Sequence, residues 1–236
     1  LCAHLWPDRG EPGIGTRELL ARLEEVPPSL EPIFHEQLRS LGADARALLA
    51  MAAVAGPTSD FMLVAKATGI EPAASARAID ECTRVHALVP NPGTASRFEF
   101  TQESLRRFVL GLESSAQRAD HHARLAMALL AEDRPRTSTT EQLLRHLGAA
   151  RDPALVGPAT EWALGLADRA VDTPHIDETV AACHSVLGLM ARAGRGNTPD
   201  RPRLEAVIER DHGAREREVP AEHAIADQAG ASLAGR

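Results

Sequence analysis

The chain has 236 residues, 44% of them hydrophobic and 25% charged, with only 3% aromatic and no Tyr. A core built from Leu, Val, Ile and many Ala favours closely packed helices over a β-sandwich, where aromatic and β-branched residues dominate. A net charge of −7 gives no global electrostatic basis for binding nucleic acid, and the longest uninterrupted apolar run, residues 47–55, is far short of a membrane span.

Residues 1–15 are irregular and rich in Gly and Pro. Thr16 is placed to cap a helix whose Leu19, Leu20 and Leu23 share one face, ended by Pro27 and Pro28. Ser29 is the predicted cap of the next helix, with Phe34, Leu38 and Leu41 at spacings of four and three and a stop at Gly42. A helix with Leu48, Leu49, Met51, Ala52 and Val54 follows and stops at Gly56. Ser59 or Asp60 starts a short one through Phe61, Leu63 and Val64, closed by Gly69. Pro72 suits the first turn of another, with Ala76, Ile79 and Cys82 inward. The period then changes. Residues 86–89 and 97–100 read as short strands around Pro90-Asn91-Pro92-Gly93, a turn-rich tip and the one convincing hairpin pattern in the sequence. Thr101 is the predicted cap of a helix bearing Leu105, Phe108, Val109 and Leu112. Three helices and then a hairpin is the order of a winged helix.

Beyond Ser114 the reading is all helix. Residues 115–131 carry Leu125 and Leu129. Ser138-Thr139-Thr140-Glu141 is a capping-box pattern before Leu143, Leu144 and Leu147, and helices over 153–171 and 174–193 follow. Paired antiparallel helices of this size point to a tetratricopeptide-like solenoid, although no clean period of about 34 residues is present. The expected fold class is therefore mainly α: a winged helix with one small β-hairpin, followed by antiparallel helix pairs of tetratricopeptide-like type. The expected organisation is an N-terminal segment 1–25, a winged-helix domain 26–113, a helical region 114–194 and a largely disordered tail 195–236. In that tail only residues 204–208 offer a helical turn or two.

The order of motifs resembles the middle of STAND-class bacterial regulators with LuxR-type output, in which an ATPase core is followed by a winged helix and tetratricopeptide-like helices. The family's V-P-x-S-L followed by R-L-x-x-L is similar to Val26-Pro27-Pro28-Ser29-Leu30 and Gln37-Leu38-Arg39-Ser40-Leu41. Its A-R-x-L-L-x-x-A-A-V-x-G resembles Ala45-Arg46-Ala47-Leu48-Leu49 with Ala52-Ala53-Val54 and Gly56, and its T-G pair resembles Thr68-Gly69. Phe98 and Phe100 match F-x-F-x-H; Arg118, His122, Leu125 and Ala126 match the next motif; Ala159, Trp162, Ala163 and Ala167-Asp168-Arg169-Ala170 match the last. The resemblance covers about residues 10–190. It implies a non-catalytic, cytoplasmic regulatory portion whose partners are the ATPase domain of a parent regulator or another protein, with a small inducer on the helical repeats. No cofactor is expected, ATP or ADP entering only if the chain is joined to an ATPase core. A free-standing helical-repeat adaptor is the alternative.

Two departures from the family matter. The His of F-x-F-x-H is Gln102 here; in related switches that position senses the nucleotide's phosphate, and Gln donates a hydrogen bond without a positive charge. Gly10-Glu11-Pro12-Gly13-Ile14-Gly15-Thr16 looks like a Walker A loop with the Lys deleted. A phosphate loop needs that Lys, a preceding strand and a Walker B Asp, so Gly10, Gly15 and Thr16 form at most a degenerate nucleotide-binding loop. The better reading is that Gly10, Pro12, Glu18, Leu19 and Leu20 match the end of an ATPase domain.

The remaining candidates are weaker. Residues 26–118 carry nine Lys/Arg against ten Asp/Glu, which argues against direct DNA binding. His121 and His122 project about 100° apart on a helix and do not chelate a metal together. His146, His175 and His184 lack ligand partners at metal spacing. Cys2, Cys82 and Cys183, odd in number and far apart, point to reduced thiols. No basic-then-apolar leader opens the sequence, and a start at Leu1 is what a fragment or trimmed product would show.

Overall fold

In a computed structural model the chain is mainly helical with one small three-stranded antiparallel sheet. Residues 26–91, 93–94, 96–132, 137–169 and 176–218 are described. The expectations placed on residues 1–25, including Gly10, Gly15 and Thr16, lie outside them. The chain divides into two compact units, Leu1–Arg118 and Ala119–Arg236.

The first unit is organised around one buried helix. α1 (Glu31–Arg39) is followed by α2 (Ala43–Ala55), in which every residue from Leu48 to Ala55 is buried. The many Ala side chains let other helices come close, and α3 (Phe61–Thr68), α4 (Pro72–Arg84) and α5 (Glu103–Leu112) all pack on α2. Both ends of α2 are held. Gly42 N–H donates to the Glu81 carboxylate of α4 at 2.9 Å. Gly56, at φ 142°, closes the C-terminus in a conformation that L side chains rarely adopt. Gly42 therefore starts α2, whereas α1 has already ended at Ser40.

Three strands complete the unit: β1 (Thr58–Asp60), β2 (Leu88–Pro90) and β3 (Arg97–Phe100), in the order β1-β3-β2. The register pairs Ser59 with Phe98 and Leu88 with Phe100. The hairpin is the predicted one, with its first strand two residues later than 86–89. His86 and Ala87 instead terminate α4: His86 N–H donates to Thr83 O at 3.0 Å and Ala87 N–H to Cys82 O at 2.9 Å. β1 lies where only a helix start was expected. Asp60 serves both elements: its carboxylate accepts from Met62 N–H at 2.8 Å to cap α3, and from the Ser96 hydroxyl at 3.1 Å beside β3.

Several local expectations are corrected. Leu30, not Ser29, is the N-cap of α1, and it makes no side-chain cap bond. Gln102, not Thr101, is the N-cap of α5, because the Thr101 hydroxyl donates instead to His86 O at 2.7 Å. On α4 the inward face is Ser75, Ala78, Ile79 and Cys82, while Ala76 is exposed.

The second unit takes in α6 (Ser115–Leu130) from Ala119 on, followed by α7 (Thr137–Ala149), a 3-10 turn (Pro153–Leu155), α8 (Val156–Arg169), α9 (Ile176–Arg192) and α10 (Arg201–Glu218). α8 presents Ala159, Ala163 and Ala167 four residues apart, a small-residue stripe that admits α9 at close range. α9 buries Ala182, Cys183, Val186, Leu189 and Met190 and also packs on α7. Its Arg192 donates to Leu147 O at 2.7 Å and Ala150 O at 3.1 Å, satisfying carbonyls at the end of α7. The capping-box pattern at residues 138–141 falls inside the first turn of α7, which begins at Thr137.

The expectation of a largely disordered tail over 195–236 is overturned for its first half. α10 packs on α9 and α8 with Leu204 and Val207 buried. The Arg and Glu residues that gave this stretch its solvated look are good helix formers and pair along the helix, as Arg201 does with Glu205 at 2.8 Å.

Candidate functional site

The first unit carries an apolar groove of about 620 Å³ bounded by α1, the start of α2 and the end of α5. Aromatic contacts join α1 to α5. Phe34 and Phe108 lie 5.5 Å apart between ring centroids, and the His35 ring meets Phe108 edge-on at 4.8 Å. Leu38, Leu41, Leu49 and Val109 line the groove, and Leu112 stands at its edge with 55% of its surface exposed. The rim carries charges of both signs: Arg39 and Arg46 with Glu36 and Glu113. Arg39 pairs with Glu36 at 3.0 Å, and the Arg46 guanidinium donates to Arg39 O at 3.1 Å. Arg118 donates to Leu110 O at 2.9 Å and Glu113 O at 3.1 Å, which ties off the end of α5 and fixes that edge.

Gln102, the predicted nucleotide-facing residue, is exposed at the N-terminus of α5. Its backbone carbonyl accepts from Leu105 and Arg106. The next residue, Glu103, bridges Arg106 at 2.7 Å and Arg107 at 3.2 Å, and these partners hold its carboxyl below the usual Glu range. Arg106 also donates to Ala53 O at 2.9 Å, so this cluster fastens α5 to the end of α2. The exposed cations of α4, Arg77 and Arg84, stand on the same helix as exposed Asp80.

In the second unit His122 and His146, on α6 and α7, approach Nδ1 to Nδ1 at 2.8 Å. His146 is fully buried; burial first, and then the neighbouring His122 and Arg145, pushes its imidazole down to about 3. The sequence pattern treated each histidine alone and missed the pair, because 24 residues separate them along the chain. A smaller cleft of about 290 Å³ lies beside Trp162, with Glu132, Glu161 and Arg169 on its walls. The Trp162 Nε1 is buried without a hydrogen-bond partner among the described residues. Among those residues no three or more His, Cys, Asp or Glu side chains converge as a metal-binding set, and no helix is long and apolar enough to cross a membrane.

No known protein family model matches the chain, and no curated protein or solved structure matches it either.

Proposed function

We propose that the chain is the non-catalytic regulatory portion of a LuxR/STAND-type regulator, the first unit a winged-helix arm and the second a tetratricopeptide-like sensor. The observation that carries this reading is the element order of the first unit. A helix, a strand, two helices and a hairpin follow one another, with β1 joining the hairpin at β3. That order coincides with collinear family-like motifs over about residues 10–190. The consecutive helices α6 to α10 support the sensor half of the reading.

In this role the arm contacts a nucleotide-binding domain and the helical pairs take up a protein or small inducer, shifting a two-state equilibrium in the cytoplasm. The near balance of nine Lys/Arg against ten Asp/Glu over residues 26–118 favours a protein surface over DNA as the arm's partner. Gln102 is exposed and offers a neutral donor, so any contribution to nucleotide sensing is a hydrogen bond and not a charge contact.

The test is the coding sequence on either side of this segment together with the purified chain. The reading expects an intact Walker A upstream and a helix-turn-helix downstream. It also expects neither Mg²⁺-dependent ATP turnover nor a low-salt shift of duplex DNA by the chain itself. Robust turnover or tight DNA binding would overturn it, and flanks lacking both modules would favour a free-standing adaptor.

A further inference from the structure

The cleft beside Trp162 lies within the second unit, between the end of α6 and one face of α8. We infer that it takes an α-amino acid with an apolar side chain, the ammonium group at Glu132 and Glu161 and the carboxylate at Arg169. The inference rests on the sensor reading of the second unit only in making that ligand the inducer.

Pro158, Glu161, Trp162, Gly165 and Arg169 recur at helical spacing and form one wall of the cleft. The stripe of Ala159, Ala163 and Ala167 that packs on α9 faces the other way. Gly165 stands two residues from both Ala163 and Ala167, about 200° around the helix. Packing on α9 therefore gives no reason for a glycine at this place. A Cβ built on Gly165 would meet Arg169 Nη1 at 3.5 Å and, beyond its chain neighbours, no other described side chain within 4 Å. Glycine weakens a helix interior relative to alanine. What the missing side chain provides is room on the cleft wall, with the Arg169 guanidinium folded back beside it.

Charge selects the ligand. Glu161 and Arg169 are exposed, as is Glu132 just beyond α6. Among the described residues no ion pair joins these three groups to each other or to another side chain. Glu161 precedes Gly165 by four residues, so the acidic and basic ends of the wall are about 6 Å apart along the helix axis. A simple carboxylate leaves Glu132 and Glu161 without a counter-charge, and a simple amine leaves Arg169 without one. An ammonium and a carboxylate on one carbon answer both ends with charge-assisted hydrogen bonds. Leu130, Pro158 and Trp162 offer apolar contact to the side chain. At about 290 Å³ the cleft falls at the lower end of ligand sites, about 300–1,000 Å³, which selects a small metabolite over a cofactor or a peptide.

Calorimetric titration of the full chain with L-leucine, L-methionine and L-phenylalanine tests this. At least one is expected to bind saturably, at one site per chain. For the amino acid that binds, the analogue without the amino group and the analogue without the carboxylate are each expected to bind at least about tenfold more weakly. Arg169→Gln is expected to weaken the amino acid by a similar factor and to leave the analogue without the carboxylate unchanged. Glu161→Gln is expected to weaken the amino acid and to leave the analogue without the amino group unchanged. Gly165→Leu fills the wall and is expected to abolish binding. None of these three residues is buried, so a thermal midpoint no lower than that of the wild type checks that each variant is folded. No saturable binding of the three amino acids up to about 10 mM overturns the inference. Binding that survives Gly165→Leu overturns it too, as does an analogue that binds as tightly as the amino acid. These outcomes leave the regulator reading standing, because the flanking coding sequence decides that. Flanks without both modules, with binding as expected, place the same amino-acid site in a free-standing adaptor.

Discussion

His122 and His146 face each other through like ring nitrogens, Nδ1 to Nδ1 at 2.8 Å. In the neutral pair one ring donates and the other accepts, and a second N–H placed in that gap would break the contact. His146 is the buried member, with its pKa moved from 6.5 to about 3, so it enters the folded state uncharged. The unfolded chain binds a proton near pH 6.5 that the folded chain does not bind until near pH 3. Stability attributable to this site is therefore intact above the ordinary His range and declines as pH falls from about 6.5 toward 3. The limiting slope is about 1.4 kcal/mol per pH unit for one proton. Denaturant unfolding between pH 7 and 5 is expected to show this slope in the wild type and a shallower one in His146→Gln. Equal slopes would remove His146 as the cause.

The start of α2 depends on a side chain 39 residues away. Glu81 reaches from α4 to accept the Gly42 N–H at 2.9 Å, a task usually met by a local Ser, Thr or Asp. The same bond joins two helices of the first unit. Glu81→Ala is expected to cost about 1 kcal/mol. Glu81→Gln keeps an acceptor and loses only the charge beside a helix N-terminus, a few tenths of a kcal/mol. Urea unfolding of the two variants checks the order; equal losses would show that charge, and not the hydrogen bond, is what matters.

Two helices end in the same motif with different residues at its left-handed position. After α9, Gly194 at φ 68° lets Arg195 N–H reach Met190 O at 2.8 Å. After α4 the equivalent place is His86 at φ 55°, with Ala87 N–H on Cys82 O at 2.9 Å. A left-handed L residue costs about 1–2 kcal/mol, and Gly returns part of that through its freedom in the unfolded chain. His86→Gly is expected to stabilise by about 0.5–1 kcal/mol, and Gly194→Ala to destabilise by about 1 kcal/mol. Thermal midpoints moving in opposite directions would bear this out; a fall for His86→Gly would mean that the side chain makes a contribution of its own.

Local chemistry was readable from the sequence where a residue's effect is confined to its own turn. Asp60, one of the two starts offered for α3, Pro72 opening α4, Gly69 closing α3 and the β3 strand over Arg97–Phe100 stand where the sequence puts them. β1 was not readable, because three residues are too few to show alternation and its hydrogen-bond partners come from β3, nearly forty residues later. α10 was read only as a turn or two at residues 204–208, because its buried side chains, Leu204 and Val207, are one turn apart and the flanking residues are mostly charged. The groove and the His122–His146 pair are products of helix packing, and no spacing along the chain encodes them.

The two described thiols provide a chemical test of the two cores. Cys82 is fully buried on α4, and its Sγ lies 3.5 Å from Ala45 O. Burial, and then the charge of Glu81, pushes the thiol up from 9.0 to about 12, so near pH 8 it holds about a thousandfold less reactive thiolate than an unperturbed group. Cys183 on α9 is equally hidden; burial raises it too, opposed by Arg210. In the native protein both are expected to resist iodoacetamide at pH 8 while an added free thiol reacts, and both to label fully in denaturant. Comparing the two sites by peptide mass spectrometry across a denaturant series then reports each unit separately. Labelling of Cys183 at lower denaturant than Cys82 would show that the second unit opens first, and coincident labelling would show that the two open together. Rapid native labelling of Cys82 would contradict the packing of α4 on α2.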